Sequence, residues 1–362
     1  MGIKYWFRDK KNLVFILLVL ALLTMPFVLT LFRLTLLGKF LCYAIVALGI
    51  DLIWGYTGIL SLGHGVFFGL GAYAMAMHLK LVASDSSLPE FMVTGGLTQL
   101  PAFWKPFASA PFAFFAVIAL PLLLAFIVGF STFKNRIKGV YFSIITQALT
   151  YAAMLLFFRN ETGFGGNNGF TGFKTLLGFS VNSQAMHVLL FALSGLALLG
   201  CFLFSRWLIR SKYGRVLQAV RDAESRTMFC GYNPLPYKLS IWVISAMMCG
   251  LAGALYVPQV GIINPGEFSP LNSIEIVVCV ALGGRGRLYG AVLGAFAVNA
   301  FKTWFTAVLP EAWLFALGGM FVLVTIFLPQ GLAGLPDQWR NRASRGTATH
   351  APAGSAGEGG AA

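Results

Sequence analysis

PFAFFAVIALPLLLAFIVGFS, residues Pro111 to Ser131, runs for 21 residues without a charged side chain. A helix crossing the roughly 30 Å hydrocarbon layer of a bilayer needs about 20 mainly apolar residues, so this segment can cross once. Comparable runs occupy 13–31, 40–55, 58–79, 139–158, 186–209, 238–260, 272–287, 288–308 and 312–330. The pattern predicts an all-α, polytopic helical membrane protein with about ten transmembrane helices. Two pairs of these spans, 40–79 and 272–308, are broken by glycines.

Composition points the same way. Of 362 residues, 58% are hydrophobic and 10% charged, against about 25% charged in soluble domains. So few charges cannot cover a soluble protein of this length. A net charge of +14 raises nucleic acid as a partner, but the cations bunch in alternate gaps. Lys4, Arg8, Lys10 and Lys11 precede the first run, and Lys134, Arg136 and Lys138 fill one short gap. Arg206, Arg210, Lys212, Arg215, Arg221, Arg226 and Lys238 mark a longer segment, and Arg340, Arg342 and Arg345 follow the last run. This is the positive-inside pattern. It excludes nucleic acid, makes membrane lipid the surroundings, and places both termini in the cytoplasm. Arg33 and Lys39 fall in an outer gap and run against the scheme.

The chain divides into a basic cytoplasmic N-terminus (1–12), a transmembrane region (13–335) and a tail (336–362) whose lack of large apolar residues predicts disorder. The run 13–31 is longer than a signal-peptide core and lacks a small-residue cleavage site, so it reads as a span. Cys42, Cys201, Cys230, Cys249 and Cys279 show no metal-ligand spacing, and His64, His78, His187 and His350 form no cluster. No metal and no cofactor is expected.

GYTGILSLGHGVFFGLGAYAM, Gly55 to Met75, places glycines where each costs about 1 kcal/mol against alanine in a helix. Two readings are open. Small residues let membrane helices approach closely, which fits Gly65 and Gly69, four apart. Alternatively a broken span frees backbone groups beside a cavity, which fits Gly63-His64-Gly65. The spacing recurs at Gly284, Gly286 and Gly290, with Asp51 and Asn272 at the same offset before each motif. By this span count the two segments cross in the same direction, so the match does not demonstrate an inverted repeat.

Ionisable groups in hydrocarbon cost at least about 2.5 kcal/mol each and normally face protein or water. The translocation-path candidates are Asp51, His64, Glu275, Asn272 and Asn299, with Lys302 and Gln147 as further polar groups inside spans. For each, the competing reading is a structural hydrogen bond between helices.

From Gly214 the chain reads GRVLQAVRDAESRTMFCGYNPLPYKL. Val216, Leu217, Val220, Ala223 and Thr227 form an apolar stripe opposite Arg215, Gln218, Arg221, Asp222 and Arg226. Gly231 and Pro234 signal its end. Such a helix is too short and too charged to span. It lies either on lipid headgroups or in a groove of a soluble partner, and Asp222 and Glu224 favour the partner.

DLIWGYTGILSLGHGVFFGLGAYAM, GRVLQAVRDAES and VALGGRGRLYGAVLGA together resemble the permease subunits of branched-chain amino-acid ABC importers. The likeness is to the LivM-like member, over most of 13–335. FRNETGFGGNNGF (158–170) and FKTWFTAVLPEAWLFALGGMFVLVTIFLPQG look more specifically like the second permease of urea importers, the UrtC type. The resemblance implies a transport subunit of the bacterial inner membrane, not an enzyme. It would pair with a second homologous permease subunit, be driven by two cytoplasmic ATP-binding subunits, and receive solute from a periplasmic substrate-binding protein. The segment 210–236 would be the coupling segment, with Gly214, Arg221, Asp222, Ala223, Glu224 and Gly231 at the ATPase. The family's Glu-Ala-Ala…Gly motif is loosely kept, since Ser225 and Arg226 follow Glu224.

The implied cargo is urea or a related short amide, with a branched-chain amino acid as the alternative. Urea carries one acceptor and several donors, so carboxylates can accept its N–H groups and freed backbone N–H groups can bind its carbonyl. An ATP-independent channel or secondary transporter is the alternative of another class. No G-x4-G-K-[ST] occurs, so no P-loop is expected, and GRGRLYG lacks the dinucleotide spacing. The outer stretch NETGFGGNNG (160–169) suits tight turns, either as a flexible surface turn or as a rim or gate for the binding protein.

Overall fold

The computed structural model describes residues 25–26 and 29–335, except 85–87, 95–97, 177, 182 and 328–330. The expected basic N-terminus, most of the span 13–31 and the tail 336–362 lie outside the described residues. The helices are α1 (Leu31–Thr57), α2 (His64–Ala83), α3 (Ala110–Lys134), α4 (Val140–Phe158), α5 (Gln184–Arg210), α6 (Lys212–Phe229), α7 (Pro234–Val260), α8 (Pro270–Gly283), α9 (Leu288–Val308) and α10 (Trp313–Phe327).

Seven of these, α1 to α5, α7 and α9, are long and apolar enough to cross a membrane. The chain is a polytopic helical membrane protein. Among the described residues α8, with 14 residues, and α10, with 15, are apolar but shorter, and the expected span 13–31 lies mostly outside the described residues. A correction concerns Arg33 and Lys39. No gap separates 31 from 40, because α1 runs unbroken through both cations. The Lys39 ammonium lies over the rings of Tyr43 and Tyr256, at 5.7 and 5.6 Å, where ring quadrupoles stabilise a cation.

Small residues decide which helices form the centre. A side chain at Gly71 would collide with the backbone of Gly250, and one at Gly253 with the Phe68 carbonyl. These contacts draw α2 and α7 together at backbone distance. Gly49 packs likewise against Ser245, bringing α1 onto α7. In consequence about three quarters of the apolar window of α1 and of α2 is buried, against about a third or less in α3, α4 and α5. Those three expose Phe115, Leu123, Ile127, Leu155 and Leu196, an apolar girdle suited to lipid.

The helix ends sort onto two faces. On one, Lys138 of the α3–α4 link and Lys238 of α7 both meet Glu224 of α6, and Arg221 of α6 meets the end of α1. The α8–α9 turn joins this basic face. On the opposite face Phe170–Thr171 pairs antiparallel with Ile262–Ile263, and Lys80 donates to the Thr171 carbonyl at 3.0 Å.

The outer stretch 160–169 is part of that opposite cap and is ordered. Phe164 stacks on Phe157 at 4.3 Å. A Cβ at Gly166 would strike the Asn160 side chain, and one at Gly169 the Ile263 carbonyl. Both have positive φ, which glycine alone adopts readily. The glycines here follow a specific loop path within the cap.

Candidate functional site

Between α1 and α2 the helix stops. Gly58 caps α1 in the left-handed region, and residues 58–63 run without helical structure to His64. Backbone groups freed by such a break must find other partners, and α4 supplies them. The Leu62 N–H donates to Thr146 Oγ1 at 3.1 Å, and Ser143 Oγ donates to the Leu60 carbonyl at 2.8 Å. Gly63 lies against the Thr146 backbone.

The glycines of the 55–75 stretch therefore divide by role. Gly63 permits the break. Gly65 meets Ser273, its N–H donating to Ser273 Oγ at 3.1 Å, and Gly69 receives the edge of Phe268. These two serve close packing of α2 on the α8 entry. His64 sits at the break, fully buried, with Nδ1 3.0 Å from Ser61 Oγ and Nε2 2.8 Å from Ser245 Oγ. Trp242 and Phe67 meet it edge-on, which clamps the imidazole between the break and α7.

The second glycine motif forms the turn from α8 to α9. Gly284 and Gly286 have positive φ, and Gly290 packs on Gly283 so that the two helices diverge from a tight hairpin. This turn docks on the end of α1. Asp51, fully buried, accepts the Gly286 N–H at 2.7 Å through Oδ1. Tyr56 donates its hydroxyl to the Gly286 carbonyl at 2.9 Å. Only hydrogen at Gly55 allows the approach, because a Cβ there would stand 2.6 Å from the Gly286 nitrogen. The second motif is thus joined to α1 through Gly286, whose N–H is held by Asp51.

The helix α6 grips the same junction. Arg221 donates through Nη1 to the Gly55 carbonyl at 2.7 Å and through Nε to Asp222 at 2.8 Å. Its hydrogen bond holds the Asp222 carboxyl below its ordinary range. Glu224 takes Lys138 at 2.6 Å and Lys238 at 2.7 Å. Burial alone would raise its carboxyl, but the two lysines outweigh burial and hold it low.

The expected single helix is corrected here: at Ala223 the backbone leaves helical geometry (φ −156°, ψ 77°) and α6 is two helical pieces. The kink turns Glu224 toward Lys138 and Lys238 while Arg221 points at Gly55. Gly214 packs on the Ile209 backbone and fixes the start of α6, and Gly231 ends the segment in a left-handed turn. The open side of α6 presents Phe229, 92% exposed, with Met228 and Arg226. An exposed aromatic side chain on a charged helix suits entry into a partner's groove. Sequence reasoning missed Phe229 because it read only the buried stripe.

Of the remaining candidates, Glu275 pairs with Lys302 at 2.7 Å. Asn272 donates to the Gly266 carbonyl at 3.1 Å and lies 3.4 Å from Glu267. Asn299 donates to Ala295 of its own helix at 2.8 Å, one turn before Lys302. Asp51 and His64 bond to Gly286 and to Ser61 and Ser245 instead of to the Glu275 pair. Also missed were Lys39, Tyr43, Tyr256 and Glu267, which gather near Asn272: Tyr256 donates to Glu267 at 2.9 Å. Among the described residues no three His, Cys, Asp or Glu side chains come together to hold a metal.

Residues 32–325 match the family described as branched-chain amino acid transport system / permease component. Over 314 residues the chain is 27% identical to the high-affinity branched-chain amino acid transport system permease protein LivM of Escherichia coli (strain K12), covering 80% of this chain and 67% of that protein. Over 312 residues it is 24% identical to the corresponding permease protein BraD of Pseudomonas aeruginosa, covering 82% and 92%. Over 303 residues it is 24% identical to the permease protein LivH of Salmonella typhimurium, again covering 82% and 92%. No solved structure matches. The family match takes in the helix break, the α8–α9 turn and the kinked basic-face helix alike. The chain belongs to the family of branched-chain amino acid transport permease components, and is a transport subunit, LivM-like, without catalytic activity of its own.

Proposed function

We propose that this chain is the permease subunit of an ABC importer that carries urea or a related short amide inward across the bacterial inner membrane. It works beside a second homologous permease, with two cytoplasmic ATP-binding subunits and a periplasmic substrate-binding protein. The basic face is cytoplasmic, by the positive-inside rule, and both termini lie on that side.

The observation that carries this reading is the contact chain at the basic face. Arg221 of α6 holds the Gly55 carbonyl, and Gly55 lies on Gly286, whose N–H is held by Asp51. Movement of α6 is therefore passed directly to the end of α1 and to the α8–α9 turn. A self-contained channel has no use for a helix so placed. In the proposed cycle, ATP closes the ATPase dimer and displaces α6. The junction then transmits the shift, and the broken spans change which side they open to.

Urea is supported by the outer stretch 158–170, whose resemblance is to urea permeases, and by the chemistry of a small neutral solute passing carboxylates and freed backbone groups. A second reading, branched-chain amino acids, is supported by the likeness to the branched-chain amino acid permease proteins LivM and BraD. The test of the subunit reading is co-purification with the ATP-binding subunits. They should stay bound to the wild-type chain and be lost with Phe229→Asp, which puts a charge where the groove expects an apolar anchor. Retention of the ATPase by that variant would remove α6 as the docking helix.

A further inference from the structure

Lys39 has an unusual setting for a membrane lysine. Among the described residues its ammonium makes no ion pair and no hydrogen bond; it rests on the rings of Tyr43 and Tyr256. Tyr256 is buried and spends its hydroxyl on Glu267, whose second oxygen faces the Asn272 amide at 3.4 Å. One helical turn beyond Asn272, Glu275 pairs with Lys302, which lies 5.6 Å above the Trp313 ring. The four charges act on one another electrostatically, sum to zero, and come from α1, the α7–α8 link, α8 and α9.

The depth of Glu275 and Asn272 follows from α8. Its 14 residues rise about 21 Å from the basic face at about 1.5 Å each, short of the roughly 30 Å hydrocarbon thickness. Glu275 and Asn272 therefore lie within the bilayer. Lys39, Tyr43, Glu267, Asn272 and Lys302 are all half-buried, so the group is an open surface and not a sealed core. Charges at that depth do not face acyl chains. This surface has to face water or protein, which in the assembly proposed above is the side toward the second permease.

We propose that Lys39 and Glu267 form a solute station on this surface, with Tyr43, Tyr256 and Asn272 holding the two charges apart. The ammonium offers donors and the carboxylate offers acceptors. A small solute carrying an oxygen acceptor and N–H donors a few ångströms apart bridges them. Urea-type amides and the head of an amino acid share that chemistry. Glu275 and Lys302, already paired, fix α8 to α9 behind the station.

The inference rests on the importer reading, and the test separates the two. The complete importer is reconstituted in proteoliposomes with its binding protein, and uptake of labelled urea and of labelled leucine is measured with ATP hydrolysis. No ATP-dependent uptake of either solute by the wild type overturns the importer reading, and the station with it. Where the wild type transports one of them, that solute is the station's cargo. Lys39→Met and Glu267→Gln should then each cut its uptake at least tenfold, while ATP hydrolysis stimulated by loaded binding protein persists. ATP spent per solute moved would rise by the same factor, which a merely misassembled complex would not show. Should either variant fail to assemble, Tyr256→Phe frees Glu267 without removing a charge and should raise that ratio at least threefold. Assembled variants that move solute within twofold of wild type per ATP overturn the station.

Discussion

Replacing Gly55 with alanine strikes the junction where α1, α6 and the α8–α9 turn meet. The new Cβ would stand 2.5 Å from Asp51 Oδ1, 2.6 Å from the Gly286 nitrogen and 2.7 Å from its Cα. That is roughly 0.8 Å inside ordinary van der Waals contact, and two of the three neighbours are backbone. Overpacking of this kind costs about 1–3 kcal/mol. Losing the Asp51–Gly286 bond, whose acceptor is a carboxylate, adds about 1.5–3 kcal/mol, while alanine's better helix propensity returns about 1 kcal/mol. The net penalty is about 1.5–5 kcal/mol, and it falls on the contact between α1 and the turn. If 2 kcal/mol of it bears on only one of the two alternating states, their ratio shifts about thirtyfold. The assay is solute moved per ATP hydrolysed by the reconstituted importer, which should fall at least tenfold. Gly200→Ala in α5, where a Cβ meets nothing within 4 Å, is the control and should stay at wild type. A Gly55→Ala importer that couples within twofold of wild type would refute the junction's role.

Other perturbations test neighbouring parts. Arg221→Ala leaves the Gly55 carbonyl without its cationic donor and should weaken coupling several-fold while the chain still inserts and folds; because this arginine is partly exposed, the loss should be smaller than for Gly55→Ala. Gly166→Val forces a β-branched residue into positive φ against Asn160. It should disorder the outer cap, seen as faster proteolysis of the 160–169 loop, and reduce binding-protein-dependent uptake. Glu224 has a lowered folded-state carboxyl, so its stabilising effect is complete above the ordinary glutamate value of about 4.3 and is lost as pH falls through the lower folded value. The stability difference between wild type and Glu224→Gln should therefore stay flat from neutral pH down to about 5 and close only in stronger acid.

Hydropathy carried the fold a long way. The runs at 111–131, 139–158, 186–209 and 238–260 became α3, α4, α5 and α7 with ends shifted by a few residues, because burial in lipid asks only for length and apolarity. The pattern was least informative where one side chain's partner lies far along the chain. Lys39 looked like the mark of a gap between spans, since nothing local shows that Tyr256, over 200 residues away, supplies a ring for its ammonium. Asp51 and Gly286 are likewise far apart in sequence, and their hydrogen bond is a tertiary fact. The break at 58–63 was legible only at its Gly63 end, where glycine and a polar ring interrupt the apolar pattern locally; Gly65 lies inside α2. The kink at Ala223 was not, since alanine is a strong helix former and the lysines that meet Glu224 beside it come from other elements. Glu267 escaped notice because it falls between apolar runs and reads as ordinary loop.

The most direct test is a comparison of two sets of proteoliposomes. One holds this chain with its partner permease alone; the other adds the ATP-binding subunits, and both receive loaded binding protein and ATP inside. Accumulation only in the second set is the expected result. Solute entering the first set at a comparable rate would contradict the description of this chain as an ATPase-driven permease.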